Sequence, residues 1–131
     1  MQHLALIALL VPDYDAGIAF YVDRMGFDLL EDTDMGGGQR WVRVAPAGAQ
    51  TAFLLARAVG TRQTDAIGNQ GGGRVWLFLQ TDDLAADHAR LLAAGVTFEE
   101  SPRHEPYGTV AVMQDIFGNR WDLIQFANPT A

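Results

Sequence analysis

Two stretches decide the fold: VPDYDAGIAFYVDRMG at residues 11–26 and TDDLAADHARLLAAG at residues 81–95. In the first, Asp13 is a helix N-cap candidate, and Tyr14, Ile18, Tyr21, Val22 and Met25 recur at spacings of three and four. That spacing marks one apolar helix face, and Gly26 stands where a C′ residue belongs. In the second, Asp82-Asp83 supplies the cap and a favourable negative charge, Leu84, His88, Leu91 and Leu92 form the face, and Gly95 closes the helix. Aligning Asp13 with Asp83 also aligns Ile18 with His88, and Gly26 with Gly95 after a one-residue deletion.

Working outward, each helix sits in the same order of strands. Leu4–Val11 is a short apolar run bounded by Pro12. Phe27–Glu31, Trp41–Val44 and Thr51–Ala56 read as strands, with a turn at Gly36–Gly38. In the second half Val75–Gln80 precedes the helix, and Val96–Glu99, Thr109–Met113 and Arg120–Phe126 follow it. The chain is therefore read as α+β, with two βαβββ modules repeating at a period of about 70 residues. The boundaries are residues 1–59, a Gly-, Thr-, Asn- and Gln-rich linker at 60–73, and residues 74–131. A four-stranded sheet with one helix covers only one of its faces. Two such modules are expected to curve into a half-open barrel around a central cavity, and exposed edges point to a homodimer.

Composition bounds the function. The 131 residues are 49% apolar and 19% charged, which suits a folded domain and excludes disorder. Nine Lys+Arg against 16 Asp+Glu give a net charge of −7, which argues against nucleic acid or an anionic membrane as partner. The absence of cysteine excludes disulfides, thiolate metal sites and a cysteine nucleophile. Leu4–Val11, at about eight residues, falls far short of the roughly 20 that span a bilayer. Met1-Gln2-His3 offers no basic n-region, so a cytoplasmic location is expected.

The first module carries Val11-Pro12-Asp13-Tyr14, Ala19-Phe20-Tyr21 and Gly26-Phe27. The second carries Thr81-Asp82-Asp83, Ala94-Gly95-Val96, Pro106-Tyr107-Gly108 and Asp115–Asp122. In these motifs the sequence resembles the vicinal oxygen chelate superfamily, the glyoxalase/bleomycin resistance/dioxygenase group. The resemblance implies the paired-module fold and, in the family's enzymes, a divalent metal held by four strand positions that acts as a Lewis acid. Carried over by motif, those positions fall on Leu6, Leu54, Trp76 and Asp122. Three of them offer no electron pair to a metal, and shifting the register by two residues adds only Arg74. One carboxylate is too few where protein sites use three or four donors. His3, His88 and His104 stand respectively on the opposite strand face, on the inward helix face and in a loop, so no metal and no cofactor is expected.

The candidate site follows from what replaces the ligands. Asp122 is either a lone carboxylate facing a ligand, an ion-pair partner of Arg43 or Arg120, or plainly exposed on its strand. Trp76 and Phe78 share parity on one strand, and with Trp41 they are candidates for an aromatic wall. Leu6, Arg43, Leu54 and Met113 complete the expected lining, and Glu105-Pro106-Tyr107-Gly108 is either a rim or a plain turn. Asp122 and Tyr107 are the candidates for acid–base chemistry. Asp82-Asp83 reads as a helix cap, the glycine runs at 36–38 and 71–73 as turn and linker, and Ser101 lies in no nucleophile elbow. The expected function is binding of an aromatic or cationic small molecule in a metal-free cavity, as in drug or metabolite sequestration. The alternative is a metal-dependent lyase, isomerase or dioxygenase of the same superfamily. Whether the protein is an enzyme stays open at this point.

Overall fold

A computed structural model describes residues 1–128 as two compact units, Met1–Ile67 and a second that begins at Gly68. The boundary falls inside the 60–73 stretch read as linker. Seven residues of that stretch, Gly60–Ala66, are helical (α2), and Gln63 Oε1 accepts a hydrogen bond from Val59 N at 2.9 Å at its start.

In the first unit β1 (Leu6–Val11) leads into a single helical turn and a half, α1 (Tyr14–Ile18). Asp13 caps α1 as expected, its carboxylate accepting from Ala16 N at 2.7 Å. A π-helical segment, Ala19–Arg24, continues it, with Met25 N donating to Phe20 O, five residues back. The wider turn changes which residues face inward. Phe20 is buried beside Tyr21, ring on ring edge at 5.0 Å, whereas Ile18 and Val22 of the expected face are only half-buried. A strict period of 3.6 cannot anticipate that extra residue.

Three antiparallel or parallel neighbours complete the sheet: β2 (Asp28–Gly36), β3 (Gln39–Ala45) and β4 (Ala52–Arg57), in the spatial order β1-β4-β3-β2. The turn at Gly36–Gly38 uses three consecutive positive φ values, 84°, 63° and 81°, which only glycine adopts cheaply. One sheet face packs on α1. Gly17 makes this possible, because a Cβ there would lie 2.9 Å from Leu55 Cδ1 and 3.1 Å from Val11 Cγ1. Leu9, Val11, Val42, Val44, Phe53 and Leu55 are buried as that core.

The second unit repeats the order with β5 (Val75–Gln80), α3 (Leu84–Ala93), β6 (Thr97–Phe98), β8 (Gly108–Gln114) and β9 (Arg120–Phe126). A short β7 (Arg103–Glu105) is additional, and it corrects the expectation that His104 lies in a loop. β6 and β7 pair with opposite ends of β8, so together they take the place that β2 fills with one strand. Pro102 has no N–H to give the ladder, which accounts for the break. The sheet order is β5-β9-β8-β6, and the α3 face is fixed by Gln125 Oε1, which accepts from Leu84 N at 2.9 Å. No helix among the described residues is long and apolar enough to cross a membrane.

Candidate functional site

Alternation along β9 separates two sheet faces. Trp121, Leu123 and Gln125 face α3, so Arg120, Asp122 and Ile124 face the other way. Asp122 pairs with Phe78 on β5 and with Val112 on β8, so these three side chains share the face away from α3. Phe78 is 64% exposed there, while Asp122, in the middle strand of three, is only 7% exposed. Among the described residues Asp122 Oδ1 has no hydrogen-bond partner.

Two arginine–glutamate clusters frame Asp122 without touching it. Arg120 forks onto Glu99, with Nε and Nη2 each 2.8 Å from a carboxylate oxygen, and Gln114 Nε2 adds a bond to Glu99 at 2.9 Å. Arg103 donates to Glu100 at 2.9 Å and to Glu105 at 2.6 Å. Glu100 in turn accepts from Val112 N at 2.9 Å. Both guanidiniums are thereby committed to glutamates. Burial pushes the Asp122 carboxyl above its ordinary range and is the largest influence; Arg103 and Arg120 pull it down, and Glu100 and Glu99 push it up. Arg120 holds the Glu99 carboxyl below its ordinary range.

Within the second unit, and among the described residues, the expected ion pair of Asp122 with Arg120 is therefore not formed. Arg120 is engaged by Glu99, and Arg43 by Glu31 at 3.0 Å. Tyr107 is exposed, on the turn between Glu105 and Gly108. Met113 leaves the expected lining: it pairs with Trp121 and Phe98, is 1% exposed and belongs to the α3 face. The Trp76 expectation also needs correction. The β5–β9 register slips between Val75 and Leu77, so Trp76 is the extra residue of a bulge and alternation from Phe78 does not fix its face. The chain at Gly71 packs directly on it, leaving 2.7 Å between the Trp76 Cβ and a Cβ placed there.

In the first unit the remaining expected residues do share one face, the one away from α1. Leu6 follows Ala52 and Leu54 in register, Arg43 pairs with Leu54, and Trp41 lies two residues before Arg43. Leu6 and Leu54 present hydrocarbon only, and among the described residues no group of three His, Asp or Glu side chains gathers to hold an ion. The donor set at the four inherited positions does not fit a divalent metal. The residues missed by sequence reading are Glu99, Glu100 and Arg103, whose closeness depends on the β6–β7 break.

A family model described as the glyoxalase/bleomycin resistance protein/dioxygenase superfamily matches residues 2–123. The chain belongs to that superfamily. An uncharacterized protein of Shewanella frigidimarina (strain NCIMB 400) is 50% identical over 126 residues, covering 95% of this chain and 93% of that protein. Among solved structures, UcmS2 superposes with a TM-score of 0.82 at 28% identity, covering 95% of this chain and 98% of its own. TnmS3, an antibiotic binding protein from Streptomyces sp. CB03234, superposes with a TM-score of 0.80 at 35% identity, covering 97% and 98%. Superfamily membership accounts for the repeated strand–helix order.

Proposed function

We propose that the protein binds a small organic molecule, aromatic or cationic, on the sheet face around Asp122, and sequesters it without a metal and without turnover. The observation that carries this reading is a nearly buried carboxylate with one oxygen unpartnered, beside a phenyl ring left in solvent. Burying a carboxylate without its own hydrogen bonds costs stability unless something else supplies them. A ligand amine or N–H would supply one, and Phe78 offers its ring for stacking or cation–π contact. The hydrocarbon at Leu6 and Leu54 supports the same reading, because the superfamily's Lewis-acid chemistry has no donors there. The likeness to TnmS3 adds support for an antibiotic-like ligand. Edge strand β2, with Leu29, Leu30 and Met35 exposed, supports a two-fold homodimer.

The test is a thermal-shift screen of aromatic amines and antibiotics, followed by calorimetric titration of each hit. Asp122→Asn is expected to weaken a confirmed ligand by about tenfold or more, the scale of a lost charge-assisted hydrogen bond. Unchanged affinity in a folded Asp122→Asn protein overturns the assignment. Near-stoichiometric zinc, nickel, manganese or iron in protein purified without a chelating tag overturns the metal-free reading.

A further inference from the structure

We propose that the first unit holds a separate site for a small planar aromatic carboxylate, at the place where β3 and β4 part. The β3–β4 ladder covers only Val42–Val44 and Phe53–Leu55, yet β3 begins at Gln39 and β4 runs on to Arg57. Beyond the last paired residues the two strands bound a hollow of about 180 Å³, with Tyr14, Trp41, Leu54 and Val59 among its walls.

Two guanidiniums lie over the Tyr14 ring, Arg40 at 5.3 Å and Arg57 at 5.9 Å from its centroid. Their charges are not equivalent. Arg40 is neutralised by Asp15 at 2.9 Å and Asp32 at 2.7 Å. Among the described residues Arg57 has no ion pair, and its guanidinium donates no hydrogen bond to a protein acceptor. It is nonetheless only half-exposed, held against a buried tyrosine. A guanidinium is a planar fork of donors that matches a carboxylate with two parallel bonds. Here that fork borders a hollow in which Tyr14, Trp41, Leu54 and Val59 supply aromatic and aliphatic wall beside Gln39 and the neutralised Arg40. The occupant therefore needs an acid group for Arg57 and a flat apolar body for Trp41 and Leu54. Its size is limited too, because about 180 Å³ is below the roughly 300–1,000 Å³ of sites for drug-sized molecules, which points to a single ring.

The site shares no charged residue with the Asp122 face and selects the opposite ligand charge, so each can fail alone. Benzoate is the probe, titrated into the whole protein by calorimetry and followed in ¹H–¹⁵N spectra at the Arg57 Nε and Trp41 Nε1 signals. One saturable site per chain is expected, with both signals shifting. Arg57→Gln is expected to weaken benzoate by about tenfold or more. Arg57→Lys, which keeps the charge and loses the fork, is expected to fall between the two. Benzyl alcohol, lacking the charge, is expected to bind at least about tenfold more weakly than benzoate. Asp122→Asn is expected to bind benzoate like the wild type. Absence of saturable binding overturns the proposal. So does wild-type affinity in Arg57→Gln or Arg57→Lys protein that melts like the wild type, or loss of benzoate binding in Asp122→Asn.

Discussion

Replacing Asp122 by asparagine is expected to make the protein more stable at neutral pH while removing the proposed ligand contact. The side chain is 7% exposed, one oxygen has no hydrogen bond, and the two arginines near it are held by Glu99 and Glu100. The ionised carboxylate therefore carries a desolvation cost that little offsets, on the order of 1–2 kcal/mol for a polar group buried without partners. Asparagine keeps the shape and drops the charge. Unfolding entropy near 2.1 cal/mol/K per residue gives about 0.28 kcal/mol/K for this chain, so Tm should rise by roughly 4–7 °C. The pH dependence has a definite sign. The folded pKa lies above the unfolded 3.8, so the penalty on the wild type is complete above the folded pKa and vanishes below 3.8. Calorimetric melts of both proteins from pH 7 downward should show the Tm gap closing on acidification. The groups facing Asp122, namely Arg103, Glu100, Arg120 and Glu99, are present in both proteins, so the difference isolates Asp122. An asparagine variant less stable at pH 7, or a gap that does not change with pH, refutes the account of Asp122 as a desolvated, unpartnered acid.

Phe78→Ala should change stability by no more than about 0.5 kcal/mol, because the ring is already in solvent, yet weaken a confirmed ligand about three- to tenfold; a large loss of Tm would mark the ring as structural instead. Gly68→Ala should lower the unfolding free energy sharply, by about 3 kcal/mol or more in a chemical-denaturation titration. Its φ is +71° and a Cβ would meet the Phe117 carbonyl, which is backbone and cannot swing aside. A mild effect there would show that the 68 and 117 segments separate easily.

The two strands that read most strongly, Val75–Gln80 and Arg120–Phe126, have the bounds expected of them, because both are apolar runs closed by polar or turn residues. The helix caps at Asp13 and Asp83 were equally legible, since capping is a local interaction three residues long. What alternation cannot carry is anything that breaks its own period. Counting two residues back from Phe78 lands on Trp76, which is itself the extra residue of the bulge between Val75 and Leu77, so the count does not fix its face. Met113 has the type of a lining residue, and only its pairing with Trp121 tells that it stands on the helix side.

Asp122 shows why a site can be half-legible. Its position followed from the motif at Asp115–Asp122, but its environment depends on partners 19 and 23 residues away, Arg103 and Glu99, brought near by pairing onto β8. With 16 acidic residues against nine basic ones, the sequence made an ion pair for this carboxylate a matter of choice among few arginines. The fold resolves that choice by geometry. Glu99 takes Arg120 with both oxygens, and Glu100 with Glu105 takes Arg103, so the acids at the margin use up the cations and the acid in the middle strand is left. A folded chain tolerates that arrangement at a cost, and that uncompensated acceptor is what the proposed ligand donor would satisfy.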